Sequence, residues 1–203
     1  MRKIQHLKSK VFCLALLLMT ACATAPIPST VIQTLHDTSA SRAPFTNVLV
    51  ISVAGDYESR ALLERQFVSH LAESVGQASP YFTVIGRRPQ FTRTAMETAI
   101  SSRNFDSILF VREKEQEREE LAPGRPVGSA FDLFGFDYPE LNGGASIEQA
   151  AAITFVTELY SVAERKKVWS IDSLSFDKMT ATELINEQAA MIAQKFLQDG
   201  LLP

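Results

Sequence analysis

The chain has 203 residues, 46% of them apolar, with 20 basic and 23 acidic residues and only two cysteines, Cys13 and Cys22. That length suits a single domain with a real core. The acidic balance argues against nucleic acid or anionic lipid head groups as partners, because both reward clusters of Lys and Arg.

Arg2, Lys3, Lys8 and Lys10 precede an apolar run from Val11 to Met19. A cationic start, a short apolar stretch and small residues at its end form the layout of a secretory signal peptide. A bilayer-spanning helix needs about 20 apolar residues, so this run is too short to cross and stay. Met19-Thr20-Ala21-Cys22 resembles the bacterial lipobox, in which an apolar residue and two small ones precede a Cys. The resemblance implies that Cys22 carries a diacylglyceryl group on sulfur and, after cleavage before it, an acylated amine. An ordinary signal cleaved near Ala21 or Ala25 is the alternative. Ala23 stands where enteric-type lipoproteins kept in the inner membrane typically have Asp, which by the same resemblance favours the outer membrane, facing the periplasm.

Loss of residues 1–21 takes four of the 20 bases and no acids, leaving sixteen bases against 23 acids and a net charge of −7 on 182 residues. Cys13 leaves with the signal and Cys22 is used for lipid. The mature chain is therefore expected to stand without disulfides, thiolate chemistry or a Cys-based metal site. No cofactor is expected beyond the covalent lipid. The expected organisation is a signal peptide over 1–21, lipidated Cys and flexible tether over 22–45, and one α/β domain over 46–203 with a long loop at 118–149.

In chain order, residues 23–45 are small, polar and interrupted by Pro26, Pro28 and Pro44, the composition of a tether. Within it, Val31 to Leu35 could make a short edge contact. Asn47–Val53 is apolar and β-branched throughout, as a strand covered on both faces should be, and is expected at the centre of the sheet. Asp56 is placed to cap a helix from Tyr57 to Val75. Leu63, Phe67, Leu71 and Val75 line one face of it, Glu58, Arg60, Glu64, Arg65 and Glu73 fall on the other side, and Gly76 ends it. Tyr81–Ile85 reads as a second strand, Thr94–Arg103 as a second helix and Ser107–Val111 as a third strand. Charges run from Arg112 to Glu120, then Leu121–Gln149 is rich in Gly and Pro. Ala151–Val162 and Val168–Phe176 form a hairpin around Ala163–Lys167. Thr180 and Glu183 form a capping box for a last helix with Ile185, Ala189, Ile192 and Phe196 inward and Gly200 past its end. The pattern β-α-β-α-β followed by a long loop, an antiparallel hairpin and a C-terminal helix specifies an α/β fold with a mixed sheet and helices packed on it.

Val48 to Asp56, Arg60 to Glu64, Phe105 to Val111, and Thr157 to Val162 with Lys167 to Ser170 together resemble a group of small bacterial lipoproteins. Their fold is similar to the amino-terminal domain of TolB, the periplasmic domain of the curli secretion lipoprotein CsgG and the synthase activator LpoB. The matching segments are buried strands and a hairpin, so the resemblance implies fold and compartment and carries no catalytic set.

Candidate site residues beyond Cys22 and its lipobox are aromatic. Phe131, Phe134, Phe136 and Tyr138 crowd one stretch of the long loop; they either fold onto the domain or meet a partner or the membrane interface. Trp169 is read as core, with a partner-binding hot spot as the alternative. His36 and His70 have no companion at ligand spacing. Gly55-Asp56 lacks the glycine pattern of a phosphate loop, so Asp56 is read as a cap. These features point to a non-enzymatic binding or assembly module of the envelope, with an envelope protein or a second copy as partner. A CsgG-like homo-oligomer is the alternative, and a cell-wall hydrolase using Asp132, Asp137 or Glu140 a remote one.

Overall fold

A computed structural model describes residues 30–36, 44–54, 56–86, 93–113, 152–176 and 180–203. Cys22 with Met19, Thr20 and Ala21, and the whole of the expected loop at 118–149 with its Phe131, Phe134, Phe136 and Tyr138, lie outside the described residues.

The elements are β1 (Thr30–His36), β2 (Asn47–Val53), α1 (Tyr57–Ala72), β3 (Gln77–Pro80), α2 (Tyr81–Ile85), α3 (Arg93–Ser102), β4 (Ser107–Glu113), β5 (Ala152–Ser161), β6 (Lys166–Phe176) and α4 (Ala181–Gln198). They build one mixed six-stranded sheet in the order β1-β6-β5-β4-β2-β3. β2 runs parallel to β3 and to β4, whereas β4-β5, β5-β6 and β6-β1 are antiparallel. The expected α/β class, parallel first half, hairpin and C-terminal helix are all present.

Alternation along the strands divides the core into two. Val48, Val50, Leu109 and Val111 point to one face, where Leu63, Phe67 and Leu71 of α1 and Ile185, Ala189, Ile192 and Phe196 of α4 cover them. Leu49, Ile51, Ile108 and Phe110 point to the other, against Tyr81 of α2 and Met96, Ala99 and Ile100 of α3. A strand with side chains buried on both faces must read as continuously apolar, and β2 has five consecutive buried residues. It is nevertheless the strand next to an edge rather than the central one, with the four-residue β3 beyond it as the edge.

Three further differences from the expected pattern have local causes. Val31 to Leu35 belongs to a full edge strand: β1 pairs with β6 from Thr30 opposite Leu174 to His36 opposite Trp169, so this part of the expected tether is sheet. α1 stops at Ala72, and the amides of Ser74 and Val75 both donate to Leu71 O at 2.8 Å in a tight turn. That turn brings the Gln77 amide to Thr46 O at 2.9 Å and starts β3 beside β2, so Gly76 is not a left-handed cap. Tyr81–Ile85 is a short helix, not a strand; the strand is Gln77–Pro80 just before it. Once Tyr81 has to enter the second core layer, a helical turn delivers it while Gly86, at φ 90°, reverses the chain.

Asp56 caps α1 as expected, accepting from Ser59 N at 2.8 Å and from the Ser59 hydroxyl at 2.7 Å. Those two bonds hold its carboxyl below the ordinary carboxylate range. Thr180 caps α4 by accepting from Glu183 N at 3.2 Å while its hydroxyl donates to the Glu183 carboxylate at 3.1 Å. Gly200 follows the helix with φ 68°. The hairpin turn is shorter than expected, with Lys166 and Lys167 already in β6 and Arg165 in left-handed geometry at φ 55°.

Candidate functional site

The parallel part of the sheet contains a topological switch. From β2 the chain crosses by α1 to β3 on one side, then by α2 and α3 to β4 on the other, with the two crossovers on opposite faces. In such sheets the crevice at the carboxyl ends of the strands beside the switch is where ligands are most often held. Here that place contains a buried charged side chain that the helical pattern assigned to solvent, Glu64.

Glu64 is fully buried, and Arg60 one turn earlier on α1 is 9% exposed. The reason lies in how β3 ends. β3 pairs with β2 only from Asn47 to Val50, then Pro80 closes it and the chain turns into α2. The Ser52 amide thus points to a side of β2 where the neighbouring strand has stopped. α2 meanwhile is preceded by Pro80, whose side chain cannot cap its first amides. The Glu64 carboxyl group serves both needs, its two oxygens accepting from Ser52 N at 3.2 Å and from Phe82 N at 2.9 Å. The Ser52 hydroxyl donates to Arg60 O at 3.0 Å, fastening the strand end to α1 a second time. The Arg60 guanidinium lies 5.9 Å from the Tyr57 ring centroid, and that of Arg65 lies 5.2 Å from the Phe82 ring centroid.

Burial pushes the Glu64 carboxyl up from its ordinary 4.5 to about 7, against the two amide bonds and the Arg60 charge, which favour the ionised form. A carboxyl that titrates near neutrality is suited to proton transfer in principle. This one has no solvent contact, and each oxygen already accepts an amide, so as placed it holds backbone together rather than reaching a substrate.

Beside this corner, α2 and α3 enclose a shallow apolar groove of about 310 Å³ lined by Val84, Ile85, Thr94, Ala95, Thr98, Ala99 and Ser102. Among the described residues no cluster of three or more His, Cys, Asp or Glu has the arrangement to hold a metal ion. His70 is engaged across the helix pair, its Nε2 lying 2.9 Å from Asn186 Oδ1.

Trp169 is 1% exposed. Its indole N–H donates to Asp199 Oδ2 at 2.9 Å, its ring stands edge-on to Phe196 at 4.5 Å, and it lies opposite Leu159. The ring is thus a core residue with no face to offer a partner. A second polar fastening is wholly internal: Ser173 Oγ donates to Gln188 Oε1 at 2.7 Å and the Gln188 amide donates to Ser175 Oγ, tying α4 to β6. At the amino end of β2, the Asp106 carboxylate accepts from Thr46 N at 2.7 Å, from the Thr46 hydroxyl at 3.0 Å and from Asn47 N at 3.1 Å. Sequence pattern gave no sign of Glu64 or Asp106 as fasteners. The only signal available was that Glu64 lies one position from Leu63 and three from Phe67, at the border of the apolar face.

No protein-family model matches the chain, and a search of curated proteins finds no match. Among solved structures, a PelC dodecamer from Paraburkholderia phytofirmans aligns with 12% identity and a TM-score of 0.46, covering 81% of this chain and 94% of that one. A single-substitution variant of that PelC dodecamer aligns with 15% identity and a TM-score of 0.44, covering 83% and 95%. Likeness at this level adds nothing to the strand order and helix placement, which define the fold by themselves.

Proposed function

We propose that this chain is a lipid-anchored lipoprotein facing the periplasm from the outer membrane, and that it acts by binding another envelope component rather than by catalysis. The observation that carries the reading is Cys22, at the end of Met19-Thr20-Ala21 and directly after a cationic and apolar leader. Two or three acyl chains on one residue are enough for stable anchoring, since each buried methylene contributes about 0.8 kcal/mol. β1 sharpens the geometry. Thr30 is eight residues beyond Cys22 and already begins the sheet, so the link from lipid to domain spans at most about 29 Å at the full extension of the chain. A partner of this domain therefore lies close to the membrane surface. The aromatic stretch Phe131, Phe134, Phe136 and Tyr138 and the surrounding residues 121–149 are the part of the sequence best suited to meet it.

Cys22→Ser tests the anchor. Metabolically labelled palmitate should be lost from the protein, and the protein should move from the membrane to the soluble fraction on lysis. Label retained on the variant would overturn the reading.

A second reading, a homo-oligomeric assembly component, is favoured by the composition of β1. It ends the sheet with the sequence TVIQTLH, which has no Pro, Lys, Glu or Asp to discourage further strand pairing. Native mass spectrometry of the lipidated protein in detergent distinguishes the two: a single oligomeric species supports assembly, and monomer alone removes it.

A further inference from the structure

We propose that Glu64 makes the β3–α2 corner a proton-sensitive latch, closed when its carboxyl is protonated and loosened when it ionises. The geometry comes first. One buried carboxyl joins three elements: it sits on α1, takes the Ser52 amide at the end of β2 and takes the Phe82 amide at the start of α2. β3 ends at Pro80 and α2 has no side-chain cap of its own, so at this corner the Glu64 carboxyl stands in for both a missing strand and a missing cap. α2 is five residues long, contributes Tyr81 to the second core and ends at Gly86. A segment this short is held by its contacts rather than by its own helical propensity.

Among the described residues, the charged and titratable groups nearest the carboxyl lie on α1, α2 and the ends of β2 and β4. From α1 come Arg60, whose charge favours ionisation, and the capping Asp56, already bonded to Ser59. From α2 comes the Tyr81 backbone, its phenol packing into the second core, and Arg65 of α1 lies over the Phe82 ring. β2 presents only Ser52, and across it β4 ends in Arg112 and Glu113.

The direction of the switch follows from linkage. With α2 docked, burial holds the proton on Glu64 up to about pH 7; with α2 swung away, water reaches the carboxyl and it returns toward 4.5. The docked form therefore binds the proton more tightly, and opening releases it. Opening becomes more favourable as pH rises through this interval, by up to about tenfold per pH unit, and levels off above it. Because Val84 and Ile85 of α2 form one wall of the apolar groove against α3, the same opening widens the groove.

Amide hydrogen exchange across pH 5 to 8, corrected for the intrinsic pH dependence of exchange, tests the latch on the intact chain. Protection at Phe82 to Gly86 should fall by up to about tenfold per pH unit between 5 and 7, while Ile108 to Val111 of β4 stay unchanged. In Glu64→Gln the same amides should lose that dependence. Should this variant not fold, the wild-type carboxyl can be followed by carbon-13 NMR, where a midpoint near 7 is expected. A midpoint near 4.5, corner protection that ignores pH, loss of protection in β4 in parallel, or a Gln variant that keeps the dependence would each overturn the proposal.

Discussion

Replacing Glu64 by Gln keeps shape and removes charge, and the outcome should depend on pH. The Gln carbonyl can accept only one of the two amides, and its NH2 group is turned toward the other donor, a mismatch of about 1 to 3 kcal/mol. Against this, the wild-type carboxylate bears a desolvation cost whenever it is ionised. Its folded pKa is raised, so the stability it contributes is fully present below 4.5 and is lost as pH rises through about 7, by at most about 3 kcal/mol. Urea denaturation should therefore find E64Q less stable than wild type at pH 5, with the gap shrinking or reversing at pH 8. A constant gap would mean that the carboxyl is ionised throughout. Trp169 is the only tryptophan and is fully inside, so its fluorescence reports the transition directly. At this scale the sequence is readable where a residue acts on its own neighbours: Asp56 caps the helix it precedes. It is silent where a residue acts across the fold, because nothing in the spacing of Glu64 announces that a strand ends beside it.

Helix ends illustrate the same contrast among elements. Thr180, Glu183 and Gly200 mark both ends of α4 in sequence, and both marks hold, since capping is chemistry between residues three or four apart. Thr180→Ala should cost about 1 kcal/mol by denaturant titration, with helix content otherwise unchanged. A loss far above that would mean that Thr180 also holds the preceding chain. Tyr81–Ile85 went the other way: its β-branched and aromatic residues suit a strand, yet packing of Tyr81 beneath α3 makes it a helical turn. Gly76 reads as a helix cap and instead lies in a turn, because glycine suits both and the position of Thr46 across the sheet decides between them.

For the whole molecule, the two-sided core was legible from the unbroken apolar runs of β2 and β4, and the hairpin from its alternation. The neighbour relations of strands were not. β1 lies far from β6 in sequence, and only the finished sheet shows that residues 30–36 complete its edge. Deleting 30–36 should expose the edge of β6, lower the thermal midpoint and, on ultracentrifugation, produce aggregates that the full domain does not form. Unchanged stability and a single monomeric boundary would show that β1 is dispensable to the domain.

Sequence by itself determined the class of the fold, the Asp56 cap of α1 and both caps of α4, the two-faced burial of β2 and β4 and the case for an anchor at Cys22. These rest on periodicity and on groups adjacent along the chain. Tertiary structure alone decided that the expected tether contributes a strand and that Glu64 is buried at the corner of β2, β3 and α2. Each of those depends on where another strand stops or begins, a distance in space that no local pattern encodes.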